Sequence, residues 1–185
     1  LNETEQRRKF NSLVLPHLAS ALSLARWLTG NATDAEDVVQ DASIRAFRAV
    51  ETLRGEQPRA WLLSIVRNTA FTWLAKNRPK SLLVTDDEKV FEQAEAQMFA
   101  TPRDGTAETE LIAKADAENL QREIAALPIA YREVLVLREL EGMNYREIAA
   151  LLQIPVGTVM SRLSRARALL VQRIGRDQAE ERKPK

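Results

Sequence analysis

Asn144–Leu170, NYREIAALLQIPVGTVMSRLSRARALL, is the stretch whose reading decides the fold. Ile148, Ala149 and Leu152 give it a first apolar stripe at helical spacing, and Asn144 stands where an N-cap belongs. Gln153-Ile154-Pro155 breaks the periodicity. Proline lacks a backbone donor and fits the start of a second helix. From there Val159, Leu163, Ala166 and Leu170 recur at helical spacing and can pack on the first helix. Thr158, Ser161, Arg162 and Arg165 point outward, and hydroxyl and guanidinium groups are what phosphates and base edges accept. Two short amphipathic helices, a tight turn and a basic outer face form the pattern of a helix-turn-helix whose second helix enters a DNA major groove. An ordinary helical hairpin with a solvated basic face has the same periodicity, so the stretch by itself leaves both readings open.

The chain has 185 residues, enough for one large domain or two small ones. Only six glycines, much alanine and leucine, and no alternating Val-Ile-Thr runs point to an all-α protein. The formal net charge of +1 hides a segregation. Between Arg54 and Lys80 six basic residues face one acid, and between Pro155 and Arg176 there are five arginines and no acid. Between Val84 and Glu123 eleven acids face four bases. Two basic blocks separated by an acidic one suggest two nucleic-acid-facing modules and a linker that avoids or mimics DNA.

Cysteine is absent, which excludes a disulfide framework, a thiolate zinc site and a cysteine nucleophile. The single histidine, His17, lies between Pro16 and Leu18 and reads more readily as packed or solvated than as catalytic. No carboxylate-histidine grouping suits a hydrolase or nuclease, so no catalytic residue, metal site or cofactor is expected. No apolar run approaches the ~20 residues needed to span a bilayer. Leu1–Phe10 is too charged for a signal-peptide core. These features predict a cytoplasmic protein that is not itself in the membrane.

Along the chain, Phe10–Trp27 reads as a helix with Pro16 near its start, ended by Thr29-Gly30-Asn31. Thr33 or Asp34 is expected to cap a second helix, buried along Ala35, Val38, Val39, Ala42, Ala46 and Phe47. A polar loop over Leu53–Arg59 precedes a third helix from about Ala60 to Asn77, with Trp61, Leu62, Ile65, Val66, Ala70 and Leu74 inside. Ser81–Thr109 is read as a linker with a short helix over Lys89–Phe99. A helix from about Ala107 stops at Pro128, another covers Ile129–Leu140, and Gln178–Lys185 reads as a frayed tail. The expected architecture is two small helical domains, 1–79 and 111–176, joined by a flexible acidic linker over 80–110, with a charged tail at 177–185.

Three stretches in this order resemble the extracytoplasmic-function (ECF) group of the sigma-70 family. DAEDVVQDASIRAFRAV, from Asp34, is similar to the family's core-polymerase-binding helix. RAWLLSIVRNTAFTWLAKNR, from Arg59, is similar to its helix facing the −10 promoter element. LPIAYREVLVLRELEGMNYREIAALLQIPVGTVMSRLSRARALL, from Leu127, resembles the domain that reads the −35 element. The resemblance implies an RNA polymerase sigma factor: a dissociable subunit, not an enzyme, that directs bacterial core RNA polymerase to a subset of promoters. Its partners would be the β′ clamp and β subunits, promoter DNA, and an anti-sigma factor that is soluble or membrane-anchored.

By the same resemblance, Asp37, Gln40, Asp41 and Arg45 form the face that docks on polymerase; without it they read as a solvated charged face. The −10 surface would comprise Arg54, Arg59, Arg67, Asn68, Thr69, Lys76 and Arg78. A site that holds an unstacked base combines a base pocket with cations, and the Asn68 amide offers both donor and acceptor. Trp61, on the apolar stripe, reads as core, while Phe71 and Trp73 are open between packing and stacking. Thr72 stands where many family members carry an acid. In the recognition helix Thr158, Met160, Ser161, Ser164 and Arg165 are candidates for bases, and Arg162 and Arg167 for phosphates. The family often has a basic residue where Met160 stands, and a thioether cannot make the bidentate guanine contact of arginine. Gly157 is either a point of close phosphate approach or simple turn geometry. The rival architecture is a self-sufficient dimeric helix-turn-helix regulator, which leaves the N-terminal basic block unexplained.

Overall fold

A computed structural model describes residues 2–53, 57–77 and 117–181. Every regular element among them is helical. The expected linker, its short helix over Lys89–Phe99 and the start of the helix at Ala107 lie outside the described residues.

The first helix is one the sequence reading did not anticipate. α1 spans Glu3–Leu13, closed by a capping box in which the Asn2 side chain accepts from the Glu5 amide and Glu5 accepts from that of Asn2. It buries no residue fully, so periodicity gives little sign of it. Its attachments are an edge-on contact between the Phe10 and Phe47 rings, 5.5 Å apart, and a hydrogen bond from Gln6 Nε2 to the Phe47 carbonyl. Pro16, which cannot donate, sits in a 3-10 turn over Leu15–His17 that separates α1 from α2, Leu18–Thr29. The expected continuous helix from Phe10 is therefore two helices.

Gly30 ends α2 in the left-handed region (φ 72°), and the chain re-enters a helix almost at once. α3 covers Ala32–Ala49. Its cap is Asn31, whose side chain accepts from the Thr33 and Asp34 amides; the two expected caps already lie in the first turn. α4 covers Pro58–Asn77. Ala21, Ala25, Ala35, Ala42, Ala46 and Ala70 are fully buried where α2, α3 and α4 meet, and small side chains let the helix backbones approach closely. Leu24, Leu28, Val38, Leu62, Leu63 and Val66 fill the space between.

Among the described residues the C-terminal half has four helices: α5 (Ala117–Ala125), α6 (Ile129–Leu135), α7 (Tyr145–Leu152) and α8 (Val156–Glu181). α6 continues into a π-helical turn, Val136–Leu140, where Glu141 N–H reaches back five residues to the Val136 carbonyl. α7 has a complete capping box between Asn144 and Glu147. Gln153 ends it at φ 57°, and Thr158 and Val159 donate to the Pro155 carbonyl as α8 begins. α8 runs on to Glu181, so the chain stays helical well into the segment expected to fray.

The two halves do not stand apart. α6 packs on α2, and α7 packs on α4. Most of the buried hydrophobic side chains from Val14 to Leu170 form one contiguous cluster that includes Tyr131, Ile148 and Leu163. The Arg132 guanidinium crosses the junction to donate to the Trp27 carbonyl at 2.9 Å.

Candidate polymerase and nucleic-acid interfaces

The amphipathic period of α3 sorts its residues. Val38, Ala42 and Ala46 turn inward, and Asp37, Gln40, Asp41 and Arg45 are all exposed on the opposite side. Ile44 lies among them at 46% exposure. One exposed aliphatic residue on a polar face is ordinary for a protein surface and does not by itself mark a contact.

On α4 the expected −10 residues separate. Arg54 and Arg78 lie outside the described residues. Asn68 and Lys76 are exposed. Thr69 is a correction: it is 3% exposed and its hydroxyl donates to the Ile65 carbonyl, so it is a packing residue and cannot meet DNA from there. Arg67 lies over the Phe71 ring, 4.6 Å from guanidinium carbon to ring centre, which makes Phe71 a platform for a cation rather than core filling alone. Trp61 and Trp73 are partly buried against the hydrophobic cluster. The Thr72 hydroxyl bonds back to the Asn68 carbonyl, within its own helix.

α8 presents its N-terminal part outward. Val159, Leu163 and Ala166 are buried beneath it, whereas Met160, at 53%, Ser161 and Ser164 are exposed. Thr158 and Arg165 are half-buried at the edge of this face. Around Gly157 an added Cβ would meet nothing within 4 Å and the backbone is ordinary, so neither packing nor turn geometry demands glycine there. Arg162 is turned inward, with 15% of its side chain exposed, and Arg167 reaches Glu139 at 2.6 Å.

The acids that meet these arginines come from one short segment and were not singled out in the sequence. Glu133, 2% exposed on α6, takes Arg67 with both oxygens, at 2.8 Å from Nε and 3.2 Å from Nη2. The same carboxylate lies 3.8 Å from Arg162. Glu141, 7% exposed just after the π turn, pairs with Arg59. The one available signal was Glu133 itself, which with its neighbour Arg132 interrupts the apolar run from Leu127 to Leu137. A charge in such a run needs a partner.

Among the described residues no group of three or more metal-binding side chains is placed to hold an ion, and no helix is long and apolar enough to cross a membrane.

Two family models match the chain, Sigma-70 region 2 over residues 13–80 and Sigma-70 region 4 over residues 117–170. The RNA polymerase sigma-H factor of Pseudomonas aeruginosa is 37% identical over 166 residues, covering 87% of this chain and 83% of that protein. The ECF RNA polymerase sigma-E factor of Escherichia coli K12 is 35% identical over 167 residues, covering 87% and 84%. Among solved structures, CnrH in complex with the cytosolic domain of CnrY is 28% identical, with a TM-score of 0.57 over 92% of this chain and 90% of that one. The sigma factor RpoE of Bartonella quintana, solved with the anti-sigma factor NepR, shares the fold at a TM-score of 0.65 and 23% identity, over 90% and 96%. Two region matches in order, together with relatives aligned across most of their length, establish that this chain belongs to the ECF group of the sigma-70 family.

Proposed function

We propose that this protein is a dissociable specificity subunit of bacterial RNA polymerase, working in the cytoplasm to direct core enzyme to a subset of promoters. The observation that carries this reading is the presence, in one chain and in family order, of a region 2 and a region 4, each with an exposed face of the right chemistry. The α3 face of Asp37, Gln40, Asp41 and Arg45 would dock on the clamp of the β′ subunit. The α4 surface would hold the melted −10 strand, with Asn68 reading a base edge and Arg59, Arg67 and Lys76 meeting phosphates. The N-terminal part of α8 would lie in the major groove at −35. There Met160, Ser161, Ser164, Thr158 and Arg165 would face bases and Arg167 would meet phosphates, whereas Arg162, turned inward beside Glu133, would not. Control by an anti-sigma factor, soluble or membrane-anchored, fits the complexes in which its structural relatives were solved.

A run-off transcription assay with purified core enzyme tests the reading, with templates chosen by mapping the transcript starts induced on overexpression. Initiation from a specific start site, dependent on this protein, is the expected result. Tight binding of duplex DNA by the protein alone, with core enzyme never initiating, would instead identify an independent regulator.

A further inference from the structure

The arginines of α8 suggest a cationic reading helix, but the fold draws most of them aside. Arg162 points back toward Glu133, Arg167 is tied to Glu139, and Arg173 lies beside Glu123. Arg165 stands half-buried at the edge. The face left exposed over the first turns of α8 carries no charge: it consists of Val156, Gly157, Met160, Ser161 and Ser164. These positions, at i, i+1, i+4, i+5 and i+8, share one side of a helix. Val156, 38% exposed, and Met160, 53% exposed, are one turn apart and form an apolar ridge. Gly157 and the two serines are short, so Met160 is the longest side chain on the face.

We propose that Met160 is a specificity-determining residue that reads thymine, its ridge with Val156 lying against thymine methyl groups in the −35 major groove. The C5-methyl of thymine is the apolar group that a base edge presents there, whereas guanine is read by arginine or lysine. Set against guanine, the ridge would cover two acceptors and offer them no donor. The Ser161 hydroxyl already donates to the Thr158 carbonyl at 3.1 Å. Its remaining lone pairs suit a donor such as the adenine N6 amine, which is paired to thymine. No acid stands between Pro155 and Arg176, so the surroundings of the ridge favour DNA over a second, equally basic copy of this chain. The inference rests on the reading of α8 as the −35 helix.

The test uses holoenzyme assembled from the full chain and core RNA polymerase. Run-off selection from templates with a randomised −35 element gives the preferred sequence. Each thymine in it, on either strand, is then replaced by deoxyuridine, which removes the methyl group and nothing else. Under the ridge, templates with uridine should compete for holoenzyme about fourfold more weakly per methyl lost, the worth of one apolar carbon withdrawn from water. M160A should bind the thymine and uridine templates alike, and M160L, which keeps the apolar bulk, should keep the preference. The side chain is exposed, so both variants should fold, and circular dichroism checks this. A methyl response that persists in M160A overturns the inference, as does its loss in M160L. Self-association that M160A abolishes, with no methyl response in the wild type, would assign the ridge to a second copy instead. Intact initiation that is indifferent to every methyl leaves the sigma reading standing and removes this one, whereas no initiation from any template sinks both.

Discussion

Arg165 lies half-buried at the edge of the exposed face of α8, beside Ser161 and Ser164. A guanidinium there can reach a base edge while its stem covers apolar surface. Arg165→Ala should therefore weaken −35-dependent initiation by roughly 1–3 kcal/mol of discrimination and leave core binding intact. Transcription from a cognate promoter at the wild-type level would remove Arg165 from the set of base contacts. Thr69 shows the opposite case. Its residue type and neighbours suit a nucleic-acid surface, but three positions after Val66 it falls on the inner stripe of α4, and its hydroxyl is consumed by the Ile65 carbonyl. A side chain's chemistry says what it can bind, and only its place on the helix says whether it is there to bind.

The helices themselves were largely legible. The apolar stripes of α3, α4, α7 and α8 are strong because each buries one face against neighbours, which imposes a period near 3.6 on the sequence. α1 escaped because it is fastened by Phe10 and by polar contacts at Gln6 and Lys9, which leave no stripe. The turn of the helix-turn-helix holds Gln153 at φ 57°, a conformation that costs a side-chain-bearing residue about 1 kcal/mol relative to glycine. Gln153→Gly should raise the melting temperature by about 2–4 °C for a chain of this size. A lower melting temperature would mean that the freedom glycine adds to the unfolded chain outweighs the relief. The outer face of α3 makes a separate prediction. Asp41→Lys should impair capture by core enzyme while leaving binding of −35 duplex DNA unchanged, because position 41 is exposed and on another helix from the recognition surface. Undiminished competition for core enzyme against wild type would exclude this face from docking.

At the scale of the molecule, the two halves are joined by a shared apolar cluster and by ion pairs between residues far apart in the chain. On the proposed reading Arg67 has two roles that one substitution should expose together. Arg67→Ala would remove the proposed phosphate contact and leave Glu133 with Arg162 at 3.8 Å. Promoter melting should fall, and the radius of gyration by small-angle scattering should rise by roughly a tenth or more as the halves separate, with helix content unchanged. Lost melting with an unchanged radius would show that the apolar contacts alone hold the halves together.

The sequence by itself determined the helices other than α1, the helix-turn-helix and the all-α class, since periodicity and composition are local properties written along the chain, and the resemblance of three stretches gave the family. Tertiary structure alone decided which arginines are free. Arg67 and Glu133 are 66 positions apart and Arg59 and Glu141 are 82, and no local pattern relates them. Packing of α6 and the π turn against the N-terminal half brings these charges together where little water reaches. There an arginine without a carboxylate would be costly, so the surface that a linear reading offers to DNA is already paired within the folded protein.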